Sequence, residues 1–203
     1  LEHNLFGSAS AQSDAEVFIA IDEFNDFIGT GNIEFISMLG NMWNYQGVYT
    51  NRIKSGKSVS ITNPTISILG GNTPTNFALA FPAAIVGQGF LSRMIIIHGE
   101  PNGRRVTFPP SPSSAETESI VVLLRGIKST CVGPASVTGE AERVLDGIYQ
   151  SQIGIDDVRF ESYSNRRFTH LLKLTILCSA ARSSSKIEEH DVIYANTILT
   201  AAE

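Results

Sequence analysis

Val17-Phe18-Ile19-Ala20-Ile21-Asp22-Glu23 decides the fold: an unbroken apolar run that ends in two acids. Two further runs of the same kind follow, Thr65-Ile66-Ser67-Ile68-Leu69 and Met94-Ile95-Ile96-Ile97-His98. Continuous apolar runs without alternation suit strands covered on both faces, as in a parallel sheet. The spacers between them are long enough for crossovers. Ile33, Ile36, Leu39 and Trp43 recur at helical spacing and predict a helix after the first strand. Thr73-Pro74 is a helix start, an N-cap followed by Pro in the first turn, and opens a second helix running to about Phe81. Strand, helix, strand, helix, strand is the order of an α/β domain.

Between the first helix and the second strand lie Gly47–Ile53 and Ser58–Thr62, two roughly alternating segments around Lys54-Ser55-Gly56-Lys57. They predict a β-hairpin with a basic tip, inserted before the second core strand. A composition break follows at Pro101 to Ser114, where Pro101, Pro109, Pro110 and Pro112 mark a linker or extended loop. Beyond it, residues 116–128, 138–152, 165–182 and 189–202 read as helices. The expected division is an α/β part over 1–114 and a helical subdomain over 115–203.

Composition sets outer limits. The chain has 203 residues, 42% of them hydrophobic and 17% charged, so it can bury a core and is not a disordered or charged helical array. A net charge of −5 excludes a wholly basic protein that coats nucleic acid, but leaves room for a local basic patch. Two cysteines make no disulfide framework, and a reducing, cytoplasmic setting is expected. No apolar run reaches the ~18 to 20 residues of a membrane span. Charge is distributed in blocks. Residues 1–51 contain acids and no Lys or Arg, whereas residues 52–105 hold Arg52, Lys54, Lys57, Arg93, Arg104 and Arg105 against Glu100 alone. Such a block is either a solvated surface or a surface that meets phosphate.

Three sites carry chemistry. Asp22 and Glu23 stand where an open α/β sheet places its active site, at a strand's carboxyl end. One carboxylate there can hold Mg²⁺ near a nucleotide phosphate while the next orients and deprotonates an attacking water. The neighbouring strand ends in Gly70-Gly71-Asn72, whose amide can reach the same water or a phosphate. Gly89-Phe90-Leu91-Ser92-Arg93 leads into the third run, and an Arg in that place can give a bidentate contact to a phosphate held by a neighbouring subunit. Taken singly, each also fits a plain role: a strand-end acid, a turn Asn, a solvated Arg. No His or Cys has the spacing of a zinc site.

It is the order of these sites that resembles the AAA+ class of P-loop ATPases. The resemblance is narrower to the helicase-like domains of phage and plasmid primases, akin to superfamily 3 and minichromosome-maintenance helicases. The fold it implies is the latter part of the P-loop core, a parallel sheet with an inserted β-hairpin, followed by a helical lid. By that resemblance Phe18–Glu23 is the Walker B strand, with Asp22 on the metal and Glu23 activating water. Asn72 is sensor 1, Gly47–Thr62 is the pre-sensor 1 hairpin with Arg52, Lys54 and Lys57 toward DNA, and Arg93 is the arginine finger. Arg166 or Arg167 is the sensor 2 residue. The cofactors implied are ATP and Mg²⁺. The partners implied are single-stranded or forked DNA and further copies of the chain in a ring, expected to be hexameric. No Walker A loop is present: Gly56-Lys57-Ser58 has Asn51 where the first Gly belongs and runs into a β-like segment rather than a helix. The loop is expected upstream of Leu1, in a longer protein. The rival expectation is a non-hydrolytic DNA-binding or protein-interaction module of the same fold.

Overall fold

The computed structural model describes residues 15–43, 47–52, 58–81, 89–100, 102–157 and 160–203. The chain forms two compact units, Leu1–Arg93 and Met94–Glu203.

In the first unit, strand β1 (Glu16–Ile21) pairs in parallel with β4 (Thr65–Gly70), in register from Glu16 opposite Thr65 to Ile21 opposite Gly70. A parallel pair requires a long crossover. Here it contains helix α1 (Phe24–Ile28), helix α2 (Ile33–Met42) and the hairpin β2 (Val48–Arg52) and β3 (Ser58–Thr62). The two hairpin strands are antiparallel, with Val48 opposite Thr62 and Arg52 opposite Ser58. The helix and the hairpin expected between the first two strands are therefore both present. Asn32 starts α2 by accepting the Phe35 N–H, and α3 (Pro74–Ala80) starts as expected, with Thr73 Oγ1 accepting the Asn76 N–H at 3.2 Å.

The hairpin base is tied at the amino end of the sheet. Asn63 and Gly47 exchange two hydrogen bonds of 2.8 Å, one through the Asn63 side chain. Asn63 is held at φ 43°, a left-handed conformation that Asn tolerates better than most residues. The Ala15 N–H donates to Thr62 and the Ala15 carbonyl accepts from Thr65, so hairpin and sheet meet at this end.

A run of aromatic rings holds the unit together. Phe24 stacks on Phe81 with ring centres 6.1 Å apart, and Phe81 stacks on Phe90 at 5.9 Å. Phe24, Phe81 and Phe90 are buried, along with Ile28, Ile36 and Met42. Each such ring pair contributes about 0.5–1.5 kcal/mol beyond its buried area. Val17 and Ile66, on one face of the strand pair, line a small apolar cavity with Phe27, Phe35, Met38 and Leu39. The opposite face carries Phe18 and Leu69, which are 67% and 66% exposed. Among the described residues the strands are thus covered on one face, not on two as their unbroken apolar runs suggest.

The third expected strand does not form. Met94–His98 has no strand structure, and the parallel sheet has two strands among the described residues. Apolarity favours burial, but a strand also needs a partner edge for its backbone groups. Ile95 instead packs on the helical cluster of Leu171, Ala195 and Leu199, while Ile96 and Ile97 are exposed.

The second unit contains α4 (Ser114–Thr130), β5 (Ser136–Val137), α5 (Gly139–Ser151), α6 (Glu161–Ser164), α7 (Arg167–Ala181), β6 (Lys186–Ile187) and α8 (Glu189–Ala202). The four expected helices appear as α4, α5, α7 and α8, each within about two residues of the expected limits. Helix α8 packs on α7 and α5. Its Val192 meets Ala141 and Ile187, while Ala195 and Leu199 meet Leu171. The two short strands pair in parallel, and each runs straight into a helix start, at Thr138 for α5 and Glu188 for α8. Among the described residues no helix is long and apolar enough to cross a membrane.

Candidate functional site

The carboxyl ends of β1 and β4 are joined first by backbone hydrogen bonds. The Gly71 N–H donates to the Ile21 carbonyl at 2.8 Å, and the Phe24 N–H donates to the Gly71 carbonyl at 2.9 Å. Such close approach requires glycine. A Cβ on Gly71 would stand 2.9 Å from the Asp22 carbonyl oxygen, and one on Gly70 would stand 2.8 Å from the Phe24 ring. The two glycines therefore bring Asp22 and Glu23 on one strand end beside Asn72 on the other.

Asp22 and Glu23 are exposed, and among the described residues neither side chain is engaged by a cation or a hydrogen-bond donor. Glu23 is the N-cap residue of α1, yet its side chain makes no capping bond. Asn72 is held firmly. Its Nδ2 donates to Asn25 Oδ1 at 2.8 Å, and its Oδ1 accepts the Thr73 N–H at 3.0 Å. Asn25 Nδ2 in turn donates to the Asn76 carbonyl at 2.7 Å. In the sequence Asn25 has no signal beyond an amide three residues after Asp22.

Arg93 lies in a 3₁₀ turn, Leu91–Arg93, at the end of the first unit. Its Nη1 donates to the Gly89 carbonyl at 2.6 Å, and the guanidinium lies over Gly40 of α2. Gly89, at φ 76°, supplies the left-handed conformation that this turn needs. Arg93 is thus turned inward in the single chain.

Arg166 and Arg167 are in the second unit and differ in their engagement. Arg166 precedes α7 and donates from Nη1 to the Ser162 carbonyl at 3.0 Å. Arg167 is gripped by α8 and the residue after it. Its Nε donates to Glu203 Oε1 at 2.7 Å, Nη2 donates to Glu203 Oε2 and Thr200 Oγ1, and Nη1 donates to Asn196 Oδ1. The Tyr163 hydroxyl donates to the same Glu203 oxygen at 2.6 Å. Burial, and then the Glu203 carboxylate, push the Tyr163 phenol above its ordinary value. The spacing of Asn196, Thr200 and Glu203 on one helical face was the available signal for this clamp.

Lys54 and Lys57 lie outside the described residues, and of Arg52 the backbone alone is described, paired with Ser58. Among the described residues no group of three or more His, Cys, Asp and Glu is placed to hold a metal. A nucleotide-bound Mg²⁺ takes one or two protein carboxylates, with phosphate and water completing its shell, so Asp22 is a donor of the right kind. No family model matches the chain, and no curated protein sequence matches it.

Proposed function

We propose that this chain is part of an ATP-hydrolysing DNA helicase or translocase of the AAA+ class, of the kind that serves phage or plasmid replication in a bacterial cytoplasm. One observation carries the reading: two carboxylates that no described residue engages, Asp22 and Glu23, sit at the end of a parallel strand beside a fixed amide, Asn72, with Gly71 closing the gap.

In this reading Asp22 holds Mg²⁺, which supplies charge neutralisation to the nucleotide phosphates. Glu23 accepts the proton of the attacking water, and Asn72 orients that water by hydrogen bonding. Arg93 serves a neighbouring copy in a ring of proposed hexameric form, which requires the Leu91–Arg93 turn to open and release the Gly89 carbonyl. Of the two lid arginines Arg166 is the nucleotide contact, because the fork of Arg167 is already taken by Glu203, Thr200 and Asn196. Arg52, Lys54 and Lys57 hold the DNA backbone.

The test is Glu23→Gln in the full-length protein. ATP binding should persist while turnover falls by about two to four orders of magnitude, the range for a lost general base. Turnover equal to that of the parent removes Glu23 from the reaction, and a parent that binds ATP without hydrolysing it favours the non-hydrolytic module.

A further inference from the structure

Asn72 can orient a water only if its amide is held one way round, since an amide flipped by half a turn exchanges donor for acceptor. The hydrogen bonds around it determine that orientation from both ends. At one end the Asn76 carbonyl can only accept, so it fixes Asn25 with Nδ2 toward it, at 2.7 Å. Asn25 Oδ1 must then face Asn72 and can only accept, so it draws Asn72 Nδ2 to 2.8 Å. At the other end the Thr73 N–H can only donate, and it meets Asn72 Oδ1 at 3.0 Å. Two backbone groups of opposite kind thus set both side-chain amides, and no flipped arrangement satisfies all three bonds. Asn25 and Asn72 are both half-buried, which raises the cost of leaving any of these groups unpaired. Asn25 also belongs to the acid-bearing strand end: it lies in the first turn of α1, two residues beyond Glu23.

We propose that Asn25 is a positioning residue that holds the Asn72 amide in one orientation and couples it to the strand end carrying Asp22 and Glu23. The inference rests on the ATPase reading for its consequence, but the amide link itself does not.

The experiment is a double-mutant cycle in the full-length protein, with Asn25→Ala, Asn72→Ala and the pair. Asn25→Ala should lower kcat about tenfold, the scale of one hydrogen bond to an oriented group, with KM for ATP unchanged. It should add nothing in the Asn72→Ala background, because Asn25 acts only through Asn72. Effects that multiply, or a kcat equal to that of the parent, overturn the proposal. A second measurement separates this outcome from failure of the ATPase reading: proton exchange at the Asn72 side-chain NH₂, followed by NMR. Exchange should be slow in the parent and faster in Asn25→Ala. Equal exchange in the two overturns the link whatever the turnover. Slowed exchange in a protein that hydrolyses no ATP upholds the link and discards the ATPase reading.

Discussion

Gly71 passes so close to Asp22 that a Cβ at position 71 would stand 2.9 Å from the Asp22 carbonyl oxygen. The neighbour is backbone, and no side-chain rotation relieves the clash. Gly71→Ala should therefore separate the strand ends and cost about 1–3 kcal/mol, the range for overpacking. Gly147→Ala is the matched control. Residue 147 is in the interior of α5, where a Cβ meets nothing within 4 Å. That change should be neutral or stabilising by up to about 1 kcal/mol. Urea unfolding of the two variants checks the contrast, and equal stabilities would show that the strand ends are not tightly joined.

The sequence predicted this strand end well because its signals are local. The run Val17–Ile21 is apolar and stops at Asp22, and Thr73-Pro74 caps the next helix, so the acids and Asn72 were legible without a structure. The same logic failed at Met94–His98. Its composition matches the other two runs, but pairing depends on a partner edge, and Ile95 is taken by the α7 and α8 cluster instead. Two-residue strands such as Ser136–Val137 are too short to leave a periodic pattern. The Asn25–Asn72 bond escaped for a different reason: its partners are 47 positions apart, and a lone Asn gives no hint of which distant amide it will meet.

Asp191 makes the helical unit sensitive to acid. Its side chain is 2% exposed and accepts from Arg182 at 2.7 Å and 2.8 Å, with the Glu188 N–H at 2.8 Å and His190 and Glu188 beside it. The Arg182 guanidinium holds the Asp191 carboxyl below the usual carboxylate range despite its burial, and the Glu188 N–H lowers it further. A carboxylate depressed by folding adds stability that is complete well above the unfolded value of about 3.9 and is lost as pH falls through the folded value. Asp191→Asn should cost about 2 kcal/mol near pH 7, because Arg182, at 34% exposure, keeps access to water once its partner is neutral. The gap between variant and parent should close below about pH 4. Thermal unfolding from pH 3 to 7 measures it, and a constant gap would contradict the sign.

Arg167 and Glu203 should behave as a structural pair. Their side chains are 13% and 22% exposed, and the guanidinium spans three partners on α8 and beyond it. Arg167→Lys keeps the charge but loses the planar fork, so it should lose most of the stability that Arg167→Ala loses, about 2 kcal/mol or more. Tyr163→Phe removes one bond to Glu203 and should cost about 1 kcal/mol. Hydrogen exchange along α8 reads all three. If Arg167→Ala leaves α8 protected and instead weakens nucleotide binding, the assignment of the nucleotide contact to Arg166 is reversed.

The hairpin separates a DNA motor from a nucleotide-driven switch with no track. Strands β2 and β3 are paired from Val48–Thr62 to Arg52–Ser58, so Lys54 and Lys57 fall between the last paired residues. In the sequence no acid lies between Glu34 and Glu100 to neutralise them. The hairpin base joins the sheet at Ala15 and Thr65, the end away from Asp22 and Asn72, with the six residues of β4 between. At about 3.3 Å per residue that separates the hairpin base from the acid pair by roughly 20 Å. Phosphate contacts add affinity through counterion release and carry little sequence information. Replacing Lys54 and Lys57 with Ala should therefore weaken binding about equally for unrelated DNA sequences. The slope of log affinity against log salt should flatten by roughly one unit for each phosphate that is no longer neutralised. Basal ATPase should persist while DNA stimulation and unwinding fall. If the double variant binds and unwinds DNA like the parent, with the same salt slope, the tip is a solvated turn and the DNA track must be sought elsewhere on the chain.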